Sequence, residues 1–443
     1  MEEKIIIEGG SSLQGTIQIS GAKNTALKLI AAALLTKEPV ILKNVPRLSD
    51  IELMVKAIEI LGARIEWLDE HILKIQAEKI TSYKIPEEIV SQMRASFVIL
   101  GPLLARFRKA IIANPGGCKI GARPVNRHIE GFENLGAKVL FVEGYYHING
   151  SQMKAGEFTF SKNTHTGTEN LILGSVLTSG TTLIKNAAEE PEIDDLIDFL
   201  NKMGAKIKRE GNRQIAIEGV NELFGTEHTV MPDRNEAATF AIAVAVTGGK
   251  IFLQGAQAKD LVAFLNKIEK VGVAYQANPN GIHVWRKNGE NLNPIEIETR
   301  PHPGFMTDWH PPFTVLLSQV NGESTVHETV MDKRFGYVRQ LQKMGAKIEF
   351  YNPHHFDPQE YNFNLEDEEK GSFHAIKIFG PAPLFGTKLE MLDLRAGATV
   401  ALAALAARGI SEISGVAHIR RGYEKFVERL QGIGANIKMV EKG

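Results

Sequence analysis

The chain has a single cysteine, Cys118, in the segment Asn114-Pro-Gly-Gly-Cys-Lys-Ile-Gly-Ala-Arg-Pro, where glycines and the cations Lys119 and Arg123 surround it. A thiol of ordinary pKa, about 8.5, is mostly protonated near neutrality and suits a general acid, whereas neighbouring cations favour its thiolate. Both forms do chemistry, and this reading leaves both open. The competing reading is an inert buried cysteine, for which a glycine-rich polar loop is a poor core environment. Further cations, Lys23, Arg94, Arg123, Arg234, Arg334, Arg395 and Arg421, fall near expected helix starts and unit junctions. Guanidinium forks and helix N-termini both suit phosphates and carboxylates, so a convergent anion site competes with solvated charge faces.

Other chemical signatures fail on spacing. Gly131 and Gly136 are set as in a P-loop, but Ala137 stands where the phosphate-binding lysine must follow. Gly432 and Gly434 begin a dinucleotide-like pattern that Ile437 breaks at its third glycine. His327-Glu328 lacks the second histidine of a zinc-protease helix. His354 and His355 lie in the polar stretch 352–372, which reads as a solvated loop, so no metal site is assigned. The absence of familiar metal and organic-cofactor signatures narrows the choice to the cysteine loop and the cations.

The elements that must position these residues recur. The phrases LGARI, LGAKV, MGAKI, VGVAY, MGAKI and IGANI place Gly62, Gly136, Gly204, Gly272, Gly345 and Gly434 at intervals of 74, 68, 68, 73 and 89 residues. Six units of about 74 residues span the 443-residue chain, and the polar stretch 352–372 lengthens the last interval. Each phrase closes an amphipathic helical segment, as in DIELMVKAIEILGA. There Ile51, Met54, Val55, Ile58 and Leu61 share a face, and Ser49 with Glu52 suggests a capping box. The glycine suits a left-handed helix-closing residue, and the alternation after it predicts a strand. A second, nearly all-apolar segment precedes each of these (NTALKLIAAALL, RASFVILGPLLARF, TENLILGSVL, EAATFAIAVAV, PPFTVLLSQV, RAGATVALAALAA) and predicts an interior helix. Units this long fit small α/β subdomains better than an open solenoid of shorter repeats.

Length predicts two domains, and 43% apolar with 23% charged residues is ordinary for a globular chain. A net charge of −1 gives no global basic field for nucleic acid. The N-terminus MEEKIIIEGG lacks the pattern of a secretory signal, no apolar run reaches membrane-spanning length, and one cysteine fits a reducing compartment. The expectation is a cytoplasmic protein without nucleic-acid or membrane partners.

Motif by motif, the chain resembles the bacterial UDP-N-acetylglucosamine enolpyruvyl transferase family over essentially its full length. The motifs are GAKNTAL at 21–27, MRAS at 93–96, PGGCKIGARPV at 115–125, KNAAEEPE at 185–192, PDRNEA at 232–237, DKRF at 332–335, DLRA at 393–396 and RGYE at 421–424. The resemblance implies two inverse α/β barrels, each of three βαβαββ repeats with pseudo-threefold symmetry. Residues 1–21 and 232–443 would form one domain, and 22–231 the domain carrying the cysteine loop. It implies phosphoenolpyruvate bound by Lys23, Asn24, Arg123, Arg395 and Arg421, and a catalytic set of Cys118 as proton donor with Asp308, Lys23 and Arg395. The UDP-sugar would lie on Arg94, Arg123, Pro124, Val125, Asn126, Arg127, Asp308 and Val330, with Asp308 as base for the 3-hydroxyl. Protonation of the enol methylene, addition of that hydroxyl and elimination of phosphate complete the implied reaction, which requires no metal or organic cofactor and is the committed step toward peptidoglycan precursors. Alkylation of Cys118 by fosfomycin is implied as well.

The chain departs from the family pattern at Asn126, at THTGTEN (164–170), at Trp309-His310-Pro311-Pro312 and at Arg420. Two alternatives stay open. One is transfer to another acceptor such as shikimate 3-phosphate, whose enzymes lack the cysteine loop. The other is a catalytically silent member that binds a UDP-sugar or a protein.

Overall fold

The computed structural model describes residues 3–115, 125–286, 291–353, 357–365 and 371–441. The chain forms two compact units. Of the described residues, those up to Ser20 and from Pro232 onward form one, and those from Gly21 to Met231 form the other. Each has its own hydrophobic core.

The repeated phrase becomes a repeated piece of backbone. Gly62, Gly136, Gly204, Gly272, Gly345 and Gly434 all take a left-handed conformation, with φ between 96° and 112°. They follow the helices Ser49–Leu61, Asn126–Asn134, Pro191–Lys202, Val262–Val271, Val338–Lys343 and Phe426–Gly432, and a strand begins two residues after each. The capping box is not formed. The helix Ser49–Leu61 begins one residue earlier than expected, so Leu48 is its N-cap and makes no side-chain cap bond. Its first turn carries Asp50 and Glu52, which favour the positive end of the helix.

Among the described residues there are six four-stranded sheets with one common order. In the unit 21–231, Glu227–Thr229 runs parallel to Val40–Lys43. Val40–Lys43 pairs antiparallel with Ile72–Gln76, and Arg64–Asp69 lies beyond that strand. In the other unit, Glu3–Glu8 supplies the inner strand between Ile410–Ser414 and Asn436–Glu441. Segments distant in sequence therefore complete a sheet in each unit, the first repeat of 21–231 and the last repeat of the other, and the open-array alternative does not apply. The two units are inverse α/β barrels with three copies of the repeat in each.

The apolar segments are interior helices. Every residue of Arg234–Val246 is buried, as is every residue of His310–Leu317, and Leu394–Ala406 is buried from Arg395 to Leu405. These three helices pack against one another. In the other unit Leu100–Phe107 packs on His165–Ser175, and Lys23–Ala32 packs on the short helix Arg94–Ile99. Proline at the start of His310–Leu317 explains how Trp309-His310-Pro311-Pro312 is tolerated, because the first helical turn needs no amide donor there. Trp309 itself is buried against Phe264 and Phe305. Among the described residues, no helix is long and apolar enough to cross a membrane.

The recurrent glycines differ in what surrounds them. A Cβ on Gly62 would meet the Lys79 carbonyl oxygen at 2.6 Å, whereas on Gly204 the nearest atom belongs to the Phe224 side chain at 3.2 Å. Left-handed strain alone is expected to cost about 1–2 kcal/mol for Gly204→Ala. Gly62→Ala should cost clearly more, because backbone must also move. Calorimetric unfolding of both variants checks this, and equal shifts in Tm would contradict it.

Candidate active site

Four of the expected cations open helices. Lys23 is the first residue of Lys23–Ala32, Arg94 of Arg94–Ile99 and Arg234 of Arg234–Thr247, and Arg395 is the second of Leu394–Ala406. A cation at a helix N-terminus opposes the helix dipole, so each position calls for an anion. Carboxylates within the fold answer part of that demand. The Asp233 side chain caps its helix by accepting from the amides of Asn235 at 2.7 Å and Glu236 at 3.1 Å. Asp393 does the same for Arg395 at 2.8 Å and Ala396 at 3.0 Å.

In the unit containing residues 232–441, packing of the interior helices brings several N-terminal ends together around Asp308. One oxygen of Asp308 accepts from Arg334, and the other accepts from Arg395 at 3.3 Å. Arg395 also donates to the Tyr423 hydroxyl at 2.9 Å, and that hydroxyl bonds Thr239 at 2.7 Å. Burial works against charge on Arg395, but Tyr423, Asp308 and Asp233 together hold its guanidinium above its ordinary pKa. The group is a permanent buried cation. Arg421, half-buried, ends the short helix Val416–Arg421 two residues before Tyr423.

Val330 is placed by a carboxylate that the sequence reading had met only as part of a failed zinc motif. Buried Glu328 accepts from the amides of Val330 at 2.6 Å and Met331 at 2.9 Å. It also accepts from the hydroxyls of Thr299 at 2.9 Å and Thr307 at 2.7 Å, and lies 2.9 Å from Nε2 of His310. Burial alone would raise the Glu328 pKa, but His310, Thr307 and the Val330 amide bring it below the usual value. Burial pushes His310 down, so a neutral imidazole faces the carboxylate. Thr307 and Asp308 are adjacent, so one carboxylate sets the loop of the candidate base and the backbone of Val330 together.

In the unit 21–231, Lys23 lies 3.1 Å from Asp50, and both are largely buried. The carbonyl of Asn24 accepts from Lys28 at 2.8 Å. Lys28 pairs with buried Glu169 at 3.2 Å, and Glu169 lies 3.1 Å from His165. Burial pushes His165 down but Glu169 pushes harder, leaving its pKa above the ordinary value. The altered segment THTGTEN thus adds an imidazole beside an existing ion pair, while Thr164 caps the helix by accepting from Gly167 at 3.2 Å. Arg94 is half-buried, Val125 is buried and Asn126 is exposed. Arg127 donates to the Asn163 carbonyl at 3.1 Å. Cys118, Arg123 and Pro124 lie outside the described residues, as do His354 and His355.

Within one unit, then, Asp308 and Arg395 meet and are joined by Arg334, a candidate anion-binding cation that had been given no substrate contact. Its DKRF motif was the available signal. Asp50, Glu169, Glu328 and Tyr423 were missed because each is defined by a partner distant in sequence. Buried anions paired to cations at the starts of interior helices suit a ligand with several negative charges, since a phosphate or carboxylate can compete for those cations.

Comparison with known proteins gives the family. The family model of EPSP synthase (3-phosphoshikimate 1-carboxyvinyltransferase) matches residues 7–430, and the chain belongs to the enolpyruvyl (carboxyvinyl) transferase family of enzymes. Among its relatives, UDP-N-acetylglucosamine 1-carboxyvinyltransferase 2 of Carboxydothermus hydrogenoformans is 42% identical, over 99% of this chain and 99% of that one. UDP-N-acetylglucosamine 1-carboxyvinyltransferase 1 of Caldanaerobacter subterraneus is 39% identical, again over 99% of both. The crystal structure of the enolpyruvyl transferase NikO from Streptomyces tendae shares the fold over 100% of both chains, with a TM-score of 0.86 at 21% identity.

His128 gives this region a pH dependence. It lies in Asn126–Asn134, the helix that carries Arg127, and its Nδ1 accepts from the Asn170 amide at 2.9 Å. Burial first, then Arg94 and Arg127, lower its pKa to about 4, against an opposing pull from Glu169. A histidine depressed in the fold contributes stability above its unfolded pKa of about 6.5, and that contribution is lost as pH falls toward 4. The loss is on the order of 3 kcal/mol. His165 is shifted the opposite way, so the comparison must isolate His128. His128→Asn keeps an acceptor for Asn170, and its thermal midpoint should fall less than the parent's between pH 7 and 4.5. Parallel pH profiles would rule out the assignment.

Proposed function

We propose that this chain transfers the carboxyvinyl group of phosphoenolpyruvate to the 3-hydroxyl of UDP-N-acetylglucosamine and releases phosphate. The observation that carries the reading is the buried Arg334–Asp308–Arg395 cluster, in a chain with full-length relatives named for this transfer. Lys23, Asn24, Arg123, Arg395 and Arg421 hold phosphoenolpyruvate. Arg94, Arg123 to Arg127, Asp308 and Val330 hold the sugar nucleotide. The domain carrying Cys118 is 22–231, and residues 1–21 with 232–443 form the other.

The chemistry follows from charge. Asp308 accepts from two guanidinium groups, and a phosphate or carboxylate on Arg395 competes for one of them, which frees a carboxylate oxygen for the sugar hydroxyl. The Cys118 thiol protonates the methylene carbon of phosphoenolpyruvate, and the adjacent carbon becomes electrophilic. The 3-hydroxyl oxygen bonds to that carbon as its proton passes to Asp308. The thiolate left on Cys118 then takes back a methyl proton, the double bond re-forms and the carbon–oxygen bond to phosphate breaks. Lys23 and Arg395 stabilise charge on the departing phosphate. The reading extends to the cytoplasm, to peptidoglycan-precursor synthesis and to alkylation of Cys118 by fosfomycin.

Phosphate release from phosphoenolpyruvate should require UDP-N-acetylglucosamine and should not occur with shikimate 3-phosphate or with no acceptor. Asp308→Asn should lower kcat by about 100-fold or more while acceptor binding changes only a few-fold, since the amide cannot take the proton. Binding without turnover in the parent would favour a silent sugar-nucleotide receptor.

A further inference from the structure

The stretch 352–372 is where one repeat outgrows the others, and its polar composition predicted a solvated loop. Its middle is instead packed inward. Tyr361 is 6% exposed and Phe363 is 8% exposed. Their rings lie 4.9 Å apart, and each lies about 5 Å from the His374 ring, at 5.0 and 5.2 Å. The Tyr361 hydroxyl is 3.0 Å from Nε2 of His327, whose Nδ1 lies 3.3 Å from Glu298. Glu360 pairs with Arg300, which also donates to Glu298 at 2.7 Å. The Asn362 amide donates to the carbonyl of Thr329 at 2.8 Å, and the Glu328 amide donates to the carbonyl of His374 at 2.7 Å.

These contacts fall on one short stretch of backbone, Glu328 to Met331. On one side the Glu328 carboxylate binds the amides of Val330 and Met331. On another, Asn362 takes the Thr329 carbonyl, while Tyr361 fixes the preceding His327. We propose that residues 357–364 are a brace that sets the Thr329–Val330 backbone and thereby tunes affinity for the sugar nucleotide. This rests on Val330 as an acceptor contact. Tyr361 is a positioning residue, acting through His327 and the chain that follows it, and touches no reacting atom. The role falls on the acceptor side because the brace contacts the segment that carries Val330.

Two readouts on the full-length protein test it. Amide hydrogen exchange without ligand should be about tenfold faster at 328–331 in Tyr361→Ala, as expected when a contact of this size is lost, with the helix Pro191–Lys202 unchanged. Steady-state kinetics should show KM for UDP-N-acetylglucosamine raised about fivefold to tenfold, with kcat and KM for phosphoenolpyruvate within about twofold. Tyr361→Phe keeps the ring, loses the hydroxyl and should show a smaller change in the same direction, which decides the matter alone where Tyr361→Ala does not fold. Unchanged exchange at 328–331, or faster exchange with unchanged KM for the acceptor, would overturn the brace. Absence of turnover in the parent would sink the transferase reading instead, while the exchange arm still decides whether the brace exists.

Discussion

A helix buried on all sides must be enclosed by other elements, and that constraint organises each half of this chain. Arg234–Val246 presents no exposed residue, so it cannot lie on a surface as an amphipathic helix does. Three such helices pack on one another in the unit of residues 232–441, and the sheets of three repeats enclose them. The packing has an electrostatic consequence. Arg395, Asp308 and Asp233 belong to the starts of different interior helices yet act on one another. Positive helix ends and cations thus accumulate in one buried place, which favours anions without any separate binding domain.

That logic separates what sequence could reveal from what it could not. The glycines were readable because one backbone conformation recurs at fixed intervals and few residues other than glycine adopt it cheaply. Interior helices were readable because apolar residues fill every face. The Ser49–Glu52 capping box failed for a local reason: a cap depends on the helix boundary to a single residue, and the helix starts at Ser49 itself. Glu328 was unreadable because its meaning lies in Thr299, Thr307, Val330 and His310, which only the fold assembles. The stretch 352–372 misled because composition averages over a segment, while two aromatic residues, Tyr361 and Phe363, decide its packing.

Glu328 and Asp308 are held in different ways. Glu328 is saturated with donors and stays charged, which suits a fixed structural anion. Asp308 is held by two guanidinium groups that an incoming anion can also engage. The altered residues near it do not disturb this arrangement. Trp309 turns into the core, and His310 supports Glu328 from the first turn of its helix. The departures from the family pattern at 309–312 are thus absorbed by packing.

The central claim is transfer by protonation, addition and elimination, which passes through a methyl group that then loses a proton. Running the reaction in deuterium oxide with phosphoenolpyruvate and UDP-N-acetylglucosamine, and weighing the product, tests that route most directly. The account predicts a carboxyvinyl ether carrying solvent deuterium at its vinyl carbon, with phosphate formed in equal amount. A product free of deuterium, or phosphate released with no new sugar nucleotide, would contradict it.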